Sequence, residues 1–398
     1  MNMQVDYQPF GSLLKKVVDN RGKTCPVHES GIPLIATNCI VNSHLYPQFE
    51  KVRYVNQETY DNWFRGHPKS GDMIFVLKGT PGRVAWVPDP VGFCIAQDMV
   101  AIRADEKKIY PKYLFAVLRS SAIQQEIEGL HVGSLIPHFK KGDFDDLQIP
   151  CVAPESQKYI GDQYFDITLK IDLLHRQNKT LEAMAASLFR QWFVEEAQED
   201  WEAVTLSDVT TRITDGAHAS PPTVEVGLPM ASVKDMCQWG INTESCRQIS
   251  QDDFDELVRT DCRPLKNDIL IAKDGSYLKH VFVAEVDMDV VILSSIAILR
   301  PNGKYHPLLL ATFLKLDSTR ESLENIVTGA VIPRIVLKDF RKYKLLLPPQ
   351  PLQDQAITSI QPIYEKCWEN DRQIRTLEKL RGTLLPKLMS GEIRIQDV

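Results

Sequence analysis

At 398 residues the chain is two to three average domains long, enough for more than one core. Its 43% hydrophobic, 25% charged and 8% aromatic residues exclude wholesale disorder, a collagen-like repeat and a disulfide-scaffold peptide. The formal net charge of −6 is the wrong sign for a protein that coats nucleic acid indiscriminately.

Regionally the charge is +1 over residues 1–150, −4 over 151–200, −3 over 201–347 and 0 over 348–398, so a polyanionic partner must be met by local patches. The most apolar run, Val290 to Leu299, is half of what a membrane span needs, and the first residues lack a basic segment followed by an apolar block. A cytoplasmic protein with no membrane partner is expected. The eight cysteines (Cys25, Cys39, Cys94, Cys151, Cys237, Cys246, Cys262, Cys367) have no C-x-x-C spacing, and neither a zinc site nor a disulfide framework is indicated.

Taken in chain order, Asp72 to Leu77 and Arg83 to Val87 read as strands, and Pro111 to Glu128 as a helix. The texture then changes. Ile160, Tyr164, Ile167, Ile171, Leu174, Asn178, Leu181, Ala185, Leu188 and Trp192 step by fours and threes, an apolar seam that predicts a long coiled-coil helix entered near Pro154. Strands return at Asp268 to Ala272 and Val281 to Ala284, and a helix at Pro307 to Ile326. A second seam follows the proline cluster Pro348, Pro349 and Pro351, through Ile360, Ile363, Cys367, Asn370, Ile374, Leu377, Arg381, Leu384 and Leu388. Pro362 inside it is expected to kink the first turns or delay the helix start.

The second half repeats the first at an offset of 196 residues without a gap. Asp19 matches Asp215, Asp72 matches Asp268, Gly79 matches Gly275, Gly133 matches Gly329, Ile136-Pro137 matches Ile332-Pro333, and Asp143-Phe144 matches Asp339-Phe340. The expected fold is therefore α+β. Two similar globular domains, at residues 1–152 and 199–347, are separated by two long helices, at 153–198 and 348–398, that pair as an antiparallel coiled coil in a pseudo-twofold tandem repeat. Asn178, Asn370 and Arg381 on the seam are candidates for fixing its register. Two like modules on a rigid spacer read a partner with two features at a set distance. Duplex DNA is such a partner, and a coiled-coil adaptor joining two proteins without touching nucleic acid is the alternative.

Several strings carry a resemblance. Ser187 to Phe193 (SLFRQWF) ends the first long helix, Leu384 to Ile393 (LLPKLMSGEI) ends the second, Leu345 to Gln355 (LLLPPQPLQDQ) leads into the latter, and Thr214 to Pro221 (TDGAHASP) forms a polar loop. Over nearly its whole length the chain resembles the DNA-specificity subunit of type I restriction-modification systems. The first helix entry, Ile149 to Gln157 (IPCVAPESQ), departs from the family's usual proline-leucine wording. The resemblance implies two target-recognition domains, each reading half of a bipartite asymmetric sequence in double-stranded DNA. It also implies docking of two methyltransferase subunits, which bind S-adenosylmethionine, and of two motor-nuclease subunits. The chain itself would be non-catalytic and hold no cofactor or metal.

The motifs agree with that expectation. Ser220-Pro221-Pro222-Thr223 lacks the aromatic residue that an amino-methyltransferase stacks on a flipped base, and no glycine-rich fingerprint, phosphate loop or H-E-x-x-H string occurs.

Polar turns that could reach base edges or phosphates supply the candidate DNA contacts. In the first repeat these are Arg21, Lys23 and Thr24, then Lys78, Thr80 and Arg83, then Lys140 and Lys141. In the second they are Asp215, His218 and Ser220, then Lys273, Ser276, Tyr277 and Lys279, then Arg334. Trp63, Trp86 and Trp239 have the flat rings that stack on DNA, and core packing is the reading preferred for them. For the methyltransferase partners, Phe189, Trp192, Phe193, Leu385, Leu388 and Met389 are the expected outward apolar cluster at the helix ends.

Overall fold

Hydrophobic patterning produces the same set of sheets twice. The computed structural model describes residues 5–20, 22, 24–130, 137–275, 278–323, 327–328 and 333–390, without the side chains of 328, 385, 389 and 390. Among the described residues the chain divides into two compact units: residues 1–175 with 373–398, and residues 176–372.

In the first unit a four-stranded antiparallel sheet runs in the order Leu14–Val18, Met99–Ala104, Met73–Val76, Val84–Trp86. Its inner strand Met73–Val76 is buried at every position, as a strand covered on both faces must be. Beside it lies a three-stranded sheet, Arg53–Val55, Ile32–Ile35, Cys94–Ile95. The second unit repeats both orders with Thr210–Asp215, Ile296–Pro301, Ile269–Ala272, Val281–Val283, and with Arg247–Ile249, Leu228–Ala231, Val291–Ile292. The predicted strands therefore form, each within a residue or two of the expected bounds.

The aspartates matched between repeats hold the feet of these sheets. Asp72 receives both Arg103 Nε at 2.7 Å and Arg103 Nη2 at 2.8 Å, and Asp268 receives Arg300 Nε and Nη2 at 2.8 Å each. Each also accepts a turn amide, from Lys69 and Leu265 respectively. Both aspartates are 1% exposed, so the match reports a buried charge-assisted clamp and not a DNA contact.

The two expected single helices are each broken. Pro111–Leu118 and Ser121–Gly129 are separated at Arg119 and Ser120, where Ser120 adopts extended backbone and its hydroxyl caps Ile123 N. Pro307–Lys315 and Asp317–Leu323 are separated by the extended residue Leu316. Serine favours a helix start because its side chain satisfies an amide the first turn leaves open, a signal that the apolar run masked.

The long helices span Pro154–Arg190 and Gln350–Ser390, and each contributes to both units. The second starts at Gln350, ten residues before Ile360, so Pro362 does not delay it. Pro362 and Thr358, whose carbonyl loses its helical partner, are both exposed, and water replaces the missing bond.

Within each unit one segment of each helix runs antiparallel to the other. Ile171 and Leu174 cluster with Ile374 in the first unit, and Asn178 meets Asn370 in the second. The recognition-domain cores continue into these seams. In the first unit Phe115, Leu114 and Phe139 share a cluster with Ile160, Tyr164, Phe165 and Leu388, and in the second Leu309 and Leu310 share one with Phe189, Ile360, Ile363 and Cys367.

Gly161 permits a close approach of the first long helix to the domain in the first unit. A Cβ there would lie 2.6 Å from Tyr113 N and 2.9 Å from Lys112 C, both backbone atoms. Gly161→Ala should lower stability by about 1–3 kcal/mol even though alanine is the better helix former, because overpacking outweighs propensity. Gly382→Ala, with nothing within 4 Å of its Cβ, should stabilise by roughly 0.5–1 kcal/mol. Thermal unfolding midpoints of the two variants should move in opposite directions, and a gain for both would refute the packing argument.

Candidate nucleic-acid interface

In the first unit the loop after Met73–Val76 is tied to the segment that follows residue 136. Lys78 bridges His138 along the backbone, Gly79 N donates to Pro137 O at 3.0 Å, and Phe139 N donates to Leu77 O at 2.7 Å. Phe139 is fully buried, stacked 5.5 Å from Phe144, and anchors the segment. Lys140 begins the following turn, its amide held by Asp143 Oδ2 at 2.8 Å. Lys78, Lys140 and Lys141 are exposed, so the frame presents three cations on two adjoining segments. Arg83 and Thr80 line a cavity of about 400 Å³ with Asn42, Gln124, Glu128 and Pro137, and the buried Thr80 hydroxyl has no hydrogen-bond partner.

Thr24 is exposed, next to Cys25, which packs with Leu34 and Val55 in a separate small cluster. The turn is held by buried Asn20, whose amide donates to Gly66 O at 2.9 Å and Ile95 O at 3.0 Å. Arg21 and Lys23 lie outside the described residues, as do Ser276 and Tyr277.

The second unit builds the same backbone frame. Asp274 bridges Arg334, Gly275 N donates to Pro333 O at 2.8 Å, and Ile335 N donates to Lys273 O at 3.1 Å. Its side chains differ from those of the first unit. Where Lys78 and His138 stood, Asp274 Oδ1 lies 3.2 Å from Arg334 Nε, with Arg334 60% exposed.

Lys273 does not point outward as expected. It is buried, with its ammonium 2.5 Å from Asp215 Oδ2, an ion pair that offsets the desolvation of both groups. Asp215 in turn sits 3.3 Å from His218 Nε2. Asp215 and Lys273 therefore brace the site, leaving His218, Ser220, Lys279 and Arg334 accessible.

A second cavity, of about 280 Å³, is lined by Lys279, Gln238, Arg320, Trp239 and Lys315, with Lys179 and Glu182 from the long helix. It shares three lining positions with the first cavity: Gln238, Lys279 and Arg320 lie 196 residues after Asn42, Arg83 and Gln124. The offset that aligned the glycines thus contained these residues too, although none of the three pairs is identical. Trp239 is 6% exposed, with Lys315 Nζ 4.1 Å over its ring, and Trp86 packs edge-on to Phe115 and Phe165.

Comparison with known proteins decides the family. The model of the type I restriction modification DNA specificity domain matches twice, over residues 15–183 and 198–379. The chain belongs to the family of type I restriction-modification DNA-specificity subunits. It is similar to the type I restriction enzyme MjaIX specificity subunit of Methanocaldococcus jannaschii, 26% identical over 344 residues, covering 78% of this chain and 77% of the relative. It is also similar to the EcoKI specificity subunit of Escherichia coli strain K12, 20% identical over 315 residues, covering 73% and 67%. The fold matches the crystal structure of a type I restriction-modification S subunit from M. genitalium, with a TM-score of 0.54 at 18% identity, covering 97% of this chain and 96% of that one. The tandem repeat is thus two DNA-recognition domains of this family. Among the described residues no helix is long and apolar enough to cross a membrane.

Sequence reasoning about the family's helix ends needs correction. Phe189 and Phe193 are 1% and 5% exposed, packed with Phe313 and Trp201 in the core of the second unit, and Leu388 is 2% exposed in the core of the first. Trp192 is half-buried beside Phe193, and the side chains of Leu385 and Met389 lie outside the described set. An apolar cluster at the end of a helix is covered here by the chain's own domains. Among the described residues the large apolar side chains exposed on the helices are Leu173, Met184 and Leu380, and Met184 and Leu380 are 196 residues apart.

The repeats also attach to their helices by different chemistry. Lys315 Nζ pairs with Glu182 Oε1 at 2.8 Å in the second unit. Burial opposes its charge, but the neighbouring Tyr364 hydroxyl and the Glu182 carboxylate outweigh that and raise its pKa. At the matching position Arg119 is 8% exposed with none of its three guanidinium nitrogens hydrogen-bonded, lying 4.9 Å over the Phe115 ring. Burial pulls its pKa down to about 10.

Lys315→Met should destabilise by about 1–3 kcal/mol by leaving the Glu182 carboxylate with the neutral Gln238 amide in place of its cation, whereas Arg119→Met should leave stability unchanged or raise it. Chemical denaturation of both variants checks this, and equal losses would contradict it. Replacing Lys140 and Lys141 by alanine should make the slope of log affinity against log salt for duplex DNA shallower by roughly 1–2, leaving sequence preference intact. An unchanged slope would remove these two lysines from the interface.

Proposed function

We propose that the two recognition domains read the two halves of one asymmetric bipartite DNA sequence, with the paired long helices setting the distance between the half-sites. The observation that carries this reading is one backbone frame displaying different side chains in the two repeats: Lys78 beside His138 in one, Asp274 beside Arg334 in the other. Equal frames suit the equal geometry of two DNA segments, and unequal hydrogen-bonding groups suit unequal base sequences.

Arg83 and Lys279 at matching cavity rims, with Lys78, Lys140, Lys141, His218 and Ser220 nearby in sequence or structure, are the side chains assigned to bases and phosphates. Arg21, Lys23, Thr24, Ser276, Tyr277 and Arg334 complete that assignment.

The chain acts by recognition alone. Chemistry belongs to two methyltransferase subunits, which hold S-adenosylmethionine, and cleavage to two motor-nuclease subunits. The exposed Met184 and Leu380, at one repeat position on the two helices, support docking of two equal partners. The mildly acidic chain binds DNA weakly alone and tightly once its partners enclose the duplex.

Inserting one heptad into both long helices at matching positions lengthens each by about 10.5 Å, or roughly three base pairs. Methylation mapping of DNA from cells expressing the lengthened chain with its methyltransferase should then report the same two half-sites with more unspecified bases between them. Unchanged spacing would end the ruler reading, and a methylation pattern without sequence preference would end the recognition reading as a whole.

A further inference from the structure

Asn178 and Asn370 form a buried amide layer in the seam, and its place in the repeat has a consequence separate from DNA reading. Asn370 Nδ2 donates to Asn178 Oδ1 at 2.7 Å and to Gln177 Oε1 at 2.9 Å, and Asn178 Nδ2 donates to Cys367 O at 3.3 Å. Asn178 and Asn370 are 4% and 0% exposed. Asn370 Oδ1 keeps no partner, so the layer is less favourable than an apolar one of the same volume would be.

The repeat positions of these residues are apolar. Asn370 lies 196 residues after Leu174, and Ile374 lies 196 after Asn178. Leu174 and Ile374 share a buried cluster with Ile171. Asparagine therefore meets asparagine, and leucine meets isoleucine, only when a first helix pairs with a second.

Because the two seams share a period, an antiparallel pair of two first helices is the obvious competitor. It would set Asn178 against Leu174 twice, and a pair of two second helices would set Asn370 against Ile374 twice. Each buried asparagine would lose the other asparagine's amide and face an aliphatic side chain in its place, weakening the pair by about 10- to 100-fold per asparagine.

We propose that the Asn178–Asn370 layer is a pairing-selectivity element: it fits the first long helix to the second and rejects like-with-like association with another copy of the chain. The test mixes chains labelled with light and heavy nitrogen isotopes, unfolds and refolds them together at high concentration, and maps lysine cross-links between copies by mass spectrometry. First-with-first pairing joins Lys170 of one copy to Lys179 of another, whereas exchanged first-with-second pairing joins Lys170 to Lys379.

In the Asn178→Leu, Asn370→Leu chain, first-with-first links should rise at least ten-fold over wild type. Adding Leu174→Asn and Ile374→Asn moves the polar pair to the matching layer and should bring those links back to the wild-type level. No rise in the double variant, a rise confined to first-with-second links, or no recovery in the fourfold variant would each overturn the proposal. So would a double variant that fails to fold, since an all-apolar layer should hold the native pairing at least as firmly as the asparagines do.

Discussion

An amphipathic helix of some forty residues cannot leave its apolar seam in water, and this chain has two of them. The seams are covered by each other and, at their ends, by the cores of the recognition domains. Phe189 is the clearest case: it belongs to the helix by sequence and to the core of the second unit by packing. Leu388 plays the same part in the first unit. Because one hydrophobic cluster includes both helix and domain, a recognition domain has no free hinge to its helix segment, and whatever fixes the helices also fixes where its loops are carried.

On that support the loops can vary. The strand feet are clamped by Asp72 with Arg103 and by Asp268 with Arg300, and the loop backbones are pinned through Gly79 and Gly275. None of these interactions involves the side chains that differ between repeats. A frame made of buried ion pairs and backbone hydrogen bonds leaves Lys78, Arg83, Lys279 and Arg334 to be chosen by what they touch.

The long-range plan was readable because it is written in periodicities. A seam of period 3.5 and a repeat of 196 residues specify the helices, their pairing and the duplicated sheets. The site was less readable because its residues depend on burial and partners. Lys273 sits on a polar glycine turn in sequence and beneath it in space, held by Asp215. The aromatic ends of the helices look outward until the domain that covers them is placed. Arg119 and Lys315 are both cations at one repeat position, and only the neighbouring carboxylate, present for one and missing for the other, tells them apart. Pro362 shows the reverse, a strong local signal overridden because its lost bond faces water.

Residues 373–390 fold with the first unit although they are made after the whole of the second. On a ribosome adding about 5–20 residues per second, the first unit waits roughly 10–40 s between completing residue 175 and receiving its second helix segment. Throughout that interval Ile167, Ile171 and Leu174 wait for Ile374 and Leu377, with which they cluster. The second unit, contiguous from 176 to 372, is complete sooner. Biosynthesis thus finishes the later domain before the earlier one, and the seam nearest the middle of the first helix is the part of the first unit that waits.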